Sequence, residues 1–205
     1  MLYCIIKCIL TPFFWILFWP QVIGYNNLRL KGGAIYISNH RSNLDPILLG
    51  LIAPRFIHFM AKEELFEPKI IGAFLRALFA FPVKRKTADI NSVRRALKLI
   101  TSGKVLGIFP EGKRSVTDDV DAMEKGAAFM AARARVPVVP IYIPANIYGL
   151  KRPRVMVGTP IDIESTLAAV PKSVVVDVIS DKFADSVNAL KAEYEAKYDK
   201  NNRRR

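Results

Sequence analysis

Cysteine and histidine are scarce in this chain, with two of each among 205 residues. The cysteines, Cys4 and Cys8, stand four residues apart near the N-terminus. Bridging neighbours on one helix would staple almost nothing, so no disulfide framework is expected and a reducing compartment is the default. The histidines, His40 and His58, are remote from both cysteines, which leaves no metal-ligand spacing. Acidic residues are also in deficit: 18 against 31 Lys and Arg give a net charge of +13 and a pI near 9.9. Such a surplus points to an anionic partner, whether a phosphate-bearing metabolite, an anionic membrane surface or nucleic acid. The sequence offers no zinc spacing, no basic helix with heptads and no RNA-binding aromatic signature, so no nucleic-acid partner is expected. Internal repeats and low-complexity linkers are lacking too. Neither Ser42 nor Ser115 occupies a nucleophile elbow.

Apolar residues, by contrast, are plentiful: 51% of the chain, with a mean hydropathy of +0.19. A chain of this length buries one core, and one domain is expected. Residues 1–24 carry a single formal side-chain charge, Lys7, and a dense aromatic run, Phe13-Phe14-Trp15-Ile16-Leu17-Phe18-Trp19. A signal peptide fits poorly, for want of a basic lead-in and a small-residue cleavage site. Pro12 and Pro20 divide the segment into pieces too short to span a bilayer, which takes about 20 residues. Two short helices lying in one leaflet are therefore expected, with aromatic side chains at headgroup level. The alternatives are one spanning helix, or a segment simply buried against the domain. The boundaries drawn are 1–24 for the membrane anchor, 25–200 for the folded domain and 201–205 for a basic tail.

Strand-like patterns cover residues 27–31, 34–38, 56–60, 81–83, 104–109 and 155–158, and 136–144 reads as a strand buried on both faces. Helical patterns cover 46–52, 70–78, 90–101 (with Gly103 beyond it as a C-cap), 124–134 and 173–200. The alternation predicts a single α/β domain with a mixed, largely parallel sheet flanked by helices, preceded by the N-terminal membrane-associated helical segment.

Four segments place reactive or anion-binding residues at the ends of apolar strands. In the first, Asn39-His40-Arg41-Ser42-Asn43-Leu44-Asp45-Pro46, a histidine and a carboxylate share one strand-to-helix turn. Imidazole exchanges protons readily near neutral pH, and a carboxylate fixes its tautomer, so the pair reads as a general base with its orienter. Asp before Pro is equally a helix N-cap followed by Pro in the first turn. The others are Phe81-Pro82-Val83-Lys84-Arg85, Phe109-Pro110-Glu111-Gly112-Lys113-Arg114-Ser115 and Val136-Pro137-Val138-Val139-Pro140. His58, between Ile57 and Phe59, reads as a satisfied structural histidine.

The four blocks, in this order between about residues 32 and 160, closely resemble the glycerolipid acyltransferases of the 1-acylglycerol-3-phosphate acyltransferase type. The third block departs from the family pattern at Lys113, where Thr is usual. The resemblance implies that His40 is the catalytic base and Asp45 its partner. It implies a phosphate grip by Arg85 and Arg114, the latter otherwise a surface ion-pair residue. It also implies that Glu111 accepts from the acceptor's glycerol hydroxyl, with Gly112 allowing close backbone approach. Lys125 with Gly126, opening a helix, matches a Lys-Gly pair of the family where a helix N-terminus favours anions. Lys84 and Lys86 are expected to add field. The fourth block is expected to be core, or a wall for the acyl chain. Residues 70–78 read as plain core, with an acyl tunnel as the alternative.

The implied reaction passes a fatty acyl group directly, without acyl-enzyme, from acyl-CoA or acyl carrier protein to the sn-2 hydroxyl of lysophosphatidic acid, forming phosphatidic acid. No cofactor is expected. Alternatives are another acceptor, glycerol-3-phosphate or a different lysophospholipid, or a non-catalytic lipid-binding protein. The implied location is a membrane, with the active site facing the cytoplasm.

Overall fold

The most continuously apolar segments form the middle of a sheet. In the computed structural model, which describes residues 2–84, 89–110, 125–144, 147 and 152–199, β2 (Ala34–Ser38) and β6 (Val138–Tyr142) are buried at every position. Side chains on both faces of these strands need cover, and helices supply it on each side. The strands β1 (Gln21–Ile23), β3 (Ile57–Lys62), β4 (Phe81–Val83), β5 (Val105–Ile108) and β7 (Arg154–Val157) complete a seven-stranded sheet of order β1-β7-β6-β2-β5-β3-β4. All neighbours run parallel except β6 and β7. The sheet is mixed and largely parallel, as the alternation predicts.

Two cores fill the two faces. On one, α2 (Asp45–Ile52) buries Leu48, Leu49 and Ile52, and α3 (Lys69–Ala77) contributes Leu75. On the other, α4 (Ile90–Thr101), α5 (Lys125–Ala134), α6 (Ile163–Ala169) and α7 (Val175–Tyr194) enclose Ala96, Ile100, Ala128, Met130, Ile179 and Phe183. Each fully buried aliphatic or aromatic side chain here stabilises by about 1.5–3 kcal/mol. Asp89 caps α4, accepting from Ser92 N at 3.1 Å and Ser92 Oγ at 2.6 Å. These bonds, with one from Lys84 N, hold its carboxyl at about 2.

The connections reverse at the centre. From β2 the chain crosses by α2 to β3, on one side of β5; from β5 it crosses by α5 to β6, on the other side of β2. A crevice outside the C-terminal ends of β2 and β5 follows, the usual place for a ligand in such sheets.

Four expectations are corrected. The N-terminal segment is one helix, α1 (Leu2–Phe18), running through Pro12, rather than two. Proline removes one backbone donor and costs about 3 kcal/mol inside a helix. Docking offsets this cost: Tyr3 packs edge-on to Phe79 and beside Phe56, and Lys7 Nζ donates to Ala53 O at 2.5 Å and Arg55 O at 3.3 Å. At about 1.5 Å per residue, 17 residues fall short of a bilayer core, and among the described residues no helix is long and apolar enough to cross a membrane. Second, the chain joins the sheet at Gln21, before the boundary drawn at residue 24, because β1 pairs with β7. Third, residues 27–31 do not form a strand. Tyr25–Leu28 is a 3-10 turn, buried through Leu28, whose carbonyl accepts from Tyr36 Oη at 2.6 Å. The C-terminal helical pattern ends earlier than residue 200, α7 passing into a π-turn at Glu195–Asp199.

Candidate active site

His40 follows β2, and its Nδ1 lies 2.9 Å from Asp45 Oδ2. A carboxylate only accepts, so Nδ1 carries the proton and Nε2 keeps its lone pair. Asp45 is fully buried, and the same Oδ2 accepts from Arg41 N at 2.7 Å and Ser42 N at 2.8 Å. The carboxylate thus grips the turn that precedes it. Leu44, not Asp45, occupies the N-cap position of α2, so the capping alternative gives way to an orienting one.

Two further features hold the imidazole. Its ring stacks on Phe109 with centroids 4.2 Å apart, and Phe109 stacks on Phe59 at 5.9 Å. Phe59 lies across Gly107, where a Cβ would stand 2.4 Å from the ring. Glycine at this point of β5 therefore makes room for the aromatic stack. Second, Asn39 Nδ2 donates to Ile143 O and Asn39 Oδ1 accepts from Ile143 N, both at 2.8 Å. The buried amide fastens the end of β2 to the end of β6. Neither Gly107 nor the Asn39 brace announces itself locally in the sequence, because each acts on a residue distant in the chain.

His40, 14% exposed at its side chain, opens onto a cavity of about 610 Å³ in the crevice. Asn43, Pro46, Phe109 and Pro110 surround it. Much of its lining is apolar, from Ile47, Gly50 and Leu51 of α2, Leu10 of α1, and Ile71, Phe74, Leu75 and Leu78 of the α3 segment, with Lys7 of α1 beside them. Residues 70–78 are therefore a cavity wall and an exposed surface rather than plain core: Ile70 is 86% exposed, and only Gly72 in α3 is buried. Lys62, Lys84, Asp89 and Val93 also border the cavity, with Gly126 and Met130 of α5. Lys62, which pairs with Glu64 at 3.0 Å, is a cation at this border that sequence reading missed.

The remaining expected site residues divide. Arg85, Glu111, Gly112 and Arg114 lie outside the described residues. Lys125 opens α5 as expected, but its ammonium pairs with Asp177 of α7 at 2.6 Å, and that bond raises its pKa. Gly126 and Ala127, which follow it, reach the cavity wall. The fourth block is core: Val138, Val139 and Pro140 lie within buried β6. His58 stacks on Phe79, centroids 4.9 Å apart. It is expected to be a satisfied structural histidine, yet its buried Nδ1 has no hydrogen-bond partner among the described residues. Burial chiefly, with Lys104 and Arg95 nearby, lowers its pKa against an opposing hydrogen bond with the Val105 backbone.

Comparison with known proteins bears on the whole arrangement. A 1-acyl-sn-glycerol-3-phosphate acyltransferase of Bacillus subtilis is 39% identical over 121 residues, 58% of this chain and 60% of that protein. One of Streptococcus pneumoniae is 33% identical over 136 residues, 63% of this chain and 50% of that protein. The chain thus spans between half and three fifths of the length of these curated relatives. The crystal structure of the 1-acyl-sn-glycerophosphate acyltransferase PlsC of Thermotoga maritima shares the fold, with a TM-score of 0.63 at 24% identity over 85% of this chain and 74% of that one. The Acyltransferase family model matches residues 20–144, which hold the His40/Asp45 turn, Gly107 and the Asn39–Ile143 brace, and the chain belongs to that family.

Proposed function

We propose that this protein transfers a fatty acyl group from a thioester donor to the free hydroxyl of 1-acylglycerol-3-phosphate. The observation that carries the reading is the His40–Asp45 pair at 2.9 Å, opening on a largely apolar cavity that Lys62 and Lys84 also border. Nε2 of His40 takes the proton of the acceptor hydroxyl as its oxygen attacks the thioester carbonyl carbon. The tetrahedral intermediate collapses with cleavage of the C–S bond, and the imidazolium returns the proton to the departing thiolate. Base catalysis of this kind contributes about 10²–10⁴-fold. Asp45 stabilises the imidazolium and fixes the ring. The apolar lining suits an acyl chain, while Lys62 and Lys84, with Arg85 and Arg114, are assigned to the phosphate.

The reading includes a membrane site. Ile9, Phe13 and Ile16 lie at helical spacing on the exposed side of α1, with Ile16 75% exposed, and Ile70 and Phe74 of α3 extend the apolar surface. A helix of this kind lies in one leaflet with its apolar face in the acyl boundary. The basic surplus suits an anionic cytoplasmic leaflet. Lysophosphatidic acid then reaches the cavity from the bilayer that holds it.

The test is the full chain in anionic vesicles, supplied with acyl-CoA or acyl carrier protein thioester and with lysophosphatidic acid. Phosphatidic acid should form, and His40→Ala should lower the rate at least a hundredfold. Turnover by His40→Ala within tenfold of wild type would sink the general-base role. Turnover of headgroup-bearing lysolipids as fast as lysophosphatidic acid would remove the phosphomonoester acceptor.

A further inference from the structure

A second hollow lies across α2 from the catalytic cavity. It holds about 220 Å³ and opens at the surface between α1 and α2. Phe14 and Phe18 of α1 form one wall, Leu44 and Leu48 of the α2 segment form another, and all eight lining residues are apolar. Ile47 and Leu51 line both hollows. Standing one turn apart on α2, they make a ridge between the two. Pro46 and Gly50 face the catalytic cavity alone, and Leu44 and Leu48 the second hollow alone. The crest of the ridge reaches the surface, where Ile47 is 44% exposed. Leu44 directly precedes Asp45, so the hollow begins at the turn that holds His40.

Polarity and size identify the occupant. The lining offers no side-chain hydrogen-bond donor or acceptor, so the hollow suits hydrocarbon and not a headgroup. Its volume falls below the roughly 300–1,000 Å³ of sites that enclose a whole small ligand, so it takes part of a chain. Acyl transfer to a lysolipid brings two chains to His40, one on the donor and one already on the acceptor. The donor chain has to leave water entirely, which calls for the larger cavity of about 610 Å³. The acceptor chain can stay partly in the bilayer. A small open hollow beside the exposed Phe13 and Leu17 of α1 meets that need.

We propose that this hollow binds the 1-acyl chain of the acceptor, while the chain in transfer occupies the catalytic cavity. The acceptor straddles the Ile47 crest, with its glycerol hydroxyl at His40 and the first methylenes of its chain against Phe14, Phe18 and Leu48. The proposal rests on the acyl-transfer reading and adds where the acceptor is held. Gripping the chain beside the turn that carries His40 orients the hydroxyl for attack.

The experiment compares wild type with Leu44→Trp and Phe18→Trp, which fill the hollow from two sides, as full chains in vesicles. Acceptors are glycerol-3-phosphates carrying a palmitoyl or an acetyl group, the latter too short to enter the hollow; donors are thioesters of several chain lengths. Each variant should lower kcat/KM for the palmitoyl acceptor about tenfold, the effect of a misfit of about one methylene in an apolar pocket. For the acetyl acceptor the loss should stay below about threefold. The wild-type order of donor chain lengths and the sedimentation with vesicles should persist. Equal losses with both acceptors, no loss in either variant, a changed donor order or lost sedimentation overturns the proposal, the third by placing the donor chain here and the last in favour of a bilayer contact. A second measurement uses wild type alone. Palmitoyl lysophosphatidic acid with a diazirine near the start of its chain should, on irradiation, label Phe14, Phe18 or Leu48. Labelling no stronger than by a diacyl lipid bearing the same group overturns the proposal. Inactivity of wild type with every donor and acceptor overturns the acyl-transfer reading itself.

Discussion

Asp45→Asn separates the charge of the carboxylate from its shape. In the wild type, one oxygen of a fully buried side chain takes hydrogen bonds from His40 Nδ1 and from the amides of Arg41 and Ser42. An asparagine Oδ1 can accept the same three bonds, so the turn and the imidazole tautomer survive. What disappears is the negative charge beside the imidazolium that forms during transfer. Unit charges near 4 Å interact by roughly 4 kcal/mol at an effective dielectric constant of 20. That is about three decades of rate at about 1.4 kcal/mol per decade, and it bounds the loss because the transition state carries only part of the charge. We expect kcat to fall about 10²–10³-fold. The fold should lose far less. Two amide bonds to an ionised acceptor weaken by about 1 kcal/mol each, while a neutral group is cheaper to bury. The net stays at or below about 2 kcal/mol, a Tm drop of at most about 8 °C for a chain of this size. Asp45→Ala should melt lower than Asn, since it strands two buried amides. Release of the donor thiol gives the rate and circular dichroism the melt. An Asn variant within fivefold of wild type, or losses that merely track the melted fraction, would refute the reasoning.

Three further outcomes are expected. Gly107→Ala pushes a methyl into Phe59 and, through Phe109, disturbs His40. It should cost about 1–3 kcal/mol of stability and lower kcat about tenfold or more; Phe59→Leu in the same chain should restore the melt, and an unrestored melt would break the steric link. Lys7→Met deprives the Ala53 and Arg55 carbonyls, just past the end of α2, of a charged donor and should lower Tm by about 2–6 °C; an unchanged melt, or no faster protease cleavage within α1, would show that Lys7 does not pin α1 to the turn after α2. His58 has a folded pKa below its unfolded 6.5, so the unfolded chain binds the extra proton between the two values. Its contribution to stability is then fully present above about pH 6.5 and is lost as pH falls toward the lowered value. Urea midpoints from pH 5 to 8 should climb more steeply in wild type than in His58→Phe, and equal slopes would discard the assignment.

Legibility in the sequence followed the range of the interaction. α4 is read over its full length because its apolar spacing and the glycine beyond it are local. The His40/Asp45 pair is legible for the same reason, being held within one turn. β1 is three residues long and exists through pairing with β7, more than 130 positions away, so nothing in Gln21-Val22-Ile23 declares it. Residues 27–31 alternate as a strand would, but no sheet edge meets them: the carbonyls of Leu28 and Leu30 go to Tyr36 and Arg55 instead. Pro12 divides a helix on paper, where the docking of Tyr3 and Lys7 that offsets it is invisible. Lys125 sits where an anion-binding lysine is expected, and only the approach of α7 brings Asp177 to claim its charge.

The brace between Asn39 and Ile143 has a consequence for how the chain acquires its chemistry. The strand that carries His40 pairs only with β5 and β6, so nothing within the first hundred residues gives β2 a neighbour. The turn that holds His40 and Asp45 is complete in the chain by residue 45, yet its floor is nailed down at Asn39 by Ile143, 104 positions beyond that asparagine. Closing so long a loop costs entropy before it returns any bonding. Synthesis therefore exposes the full motif long before it can hold its shape. A growing polypeptide carries the motif without its brace until β6 arrives.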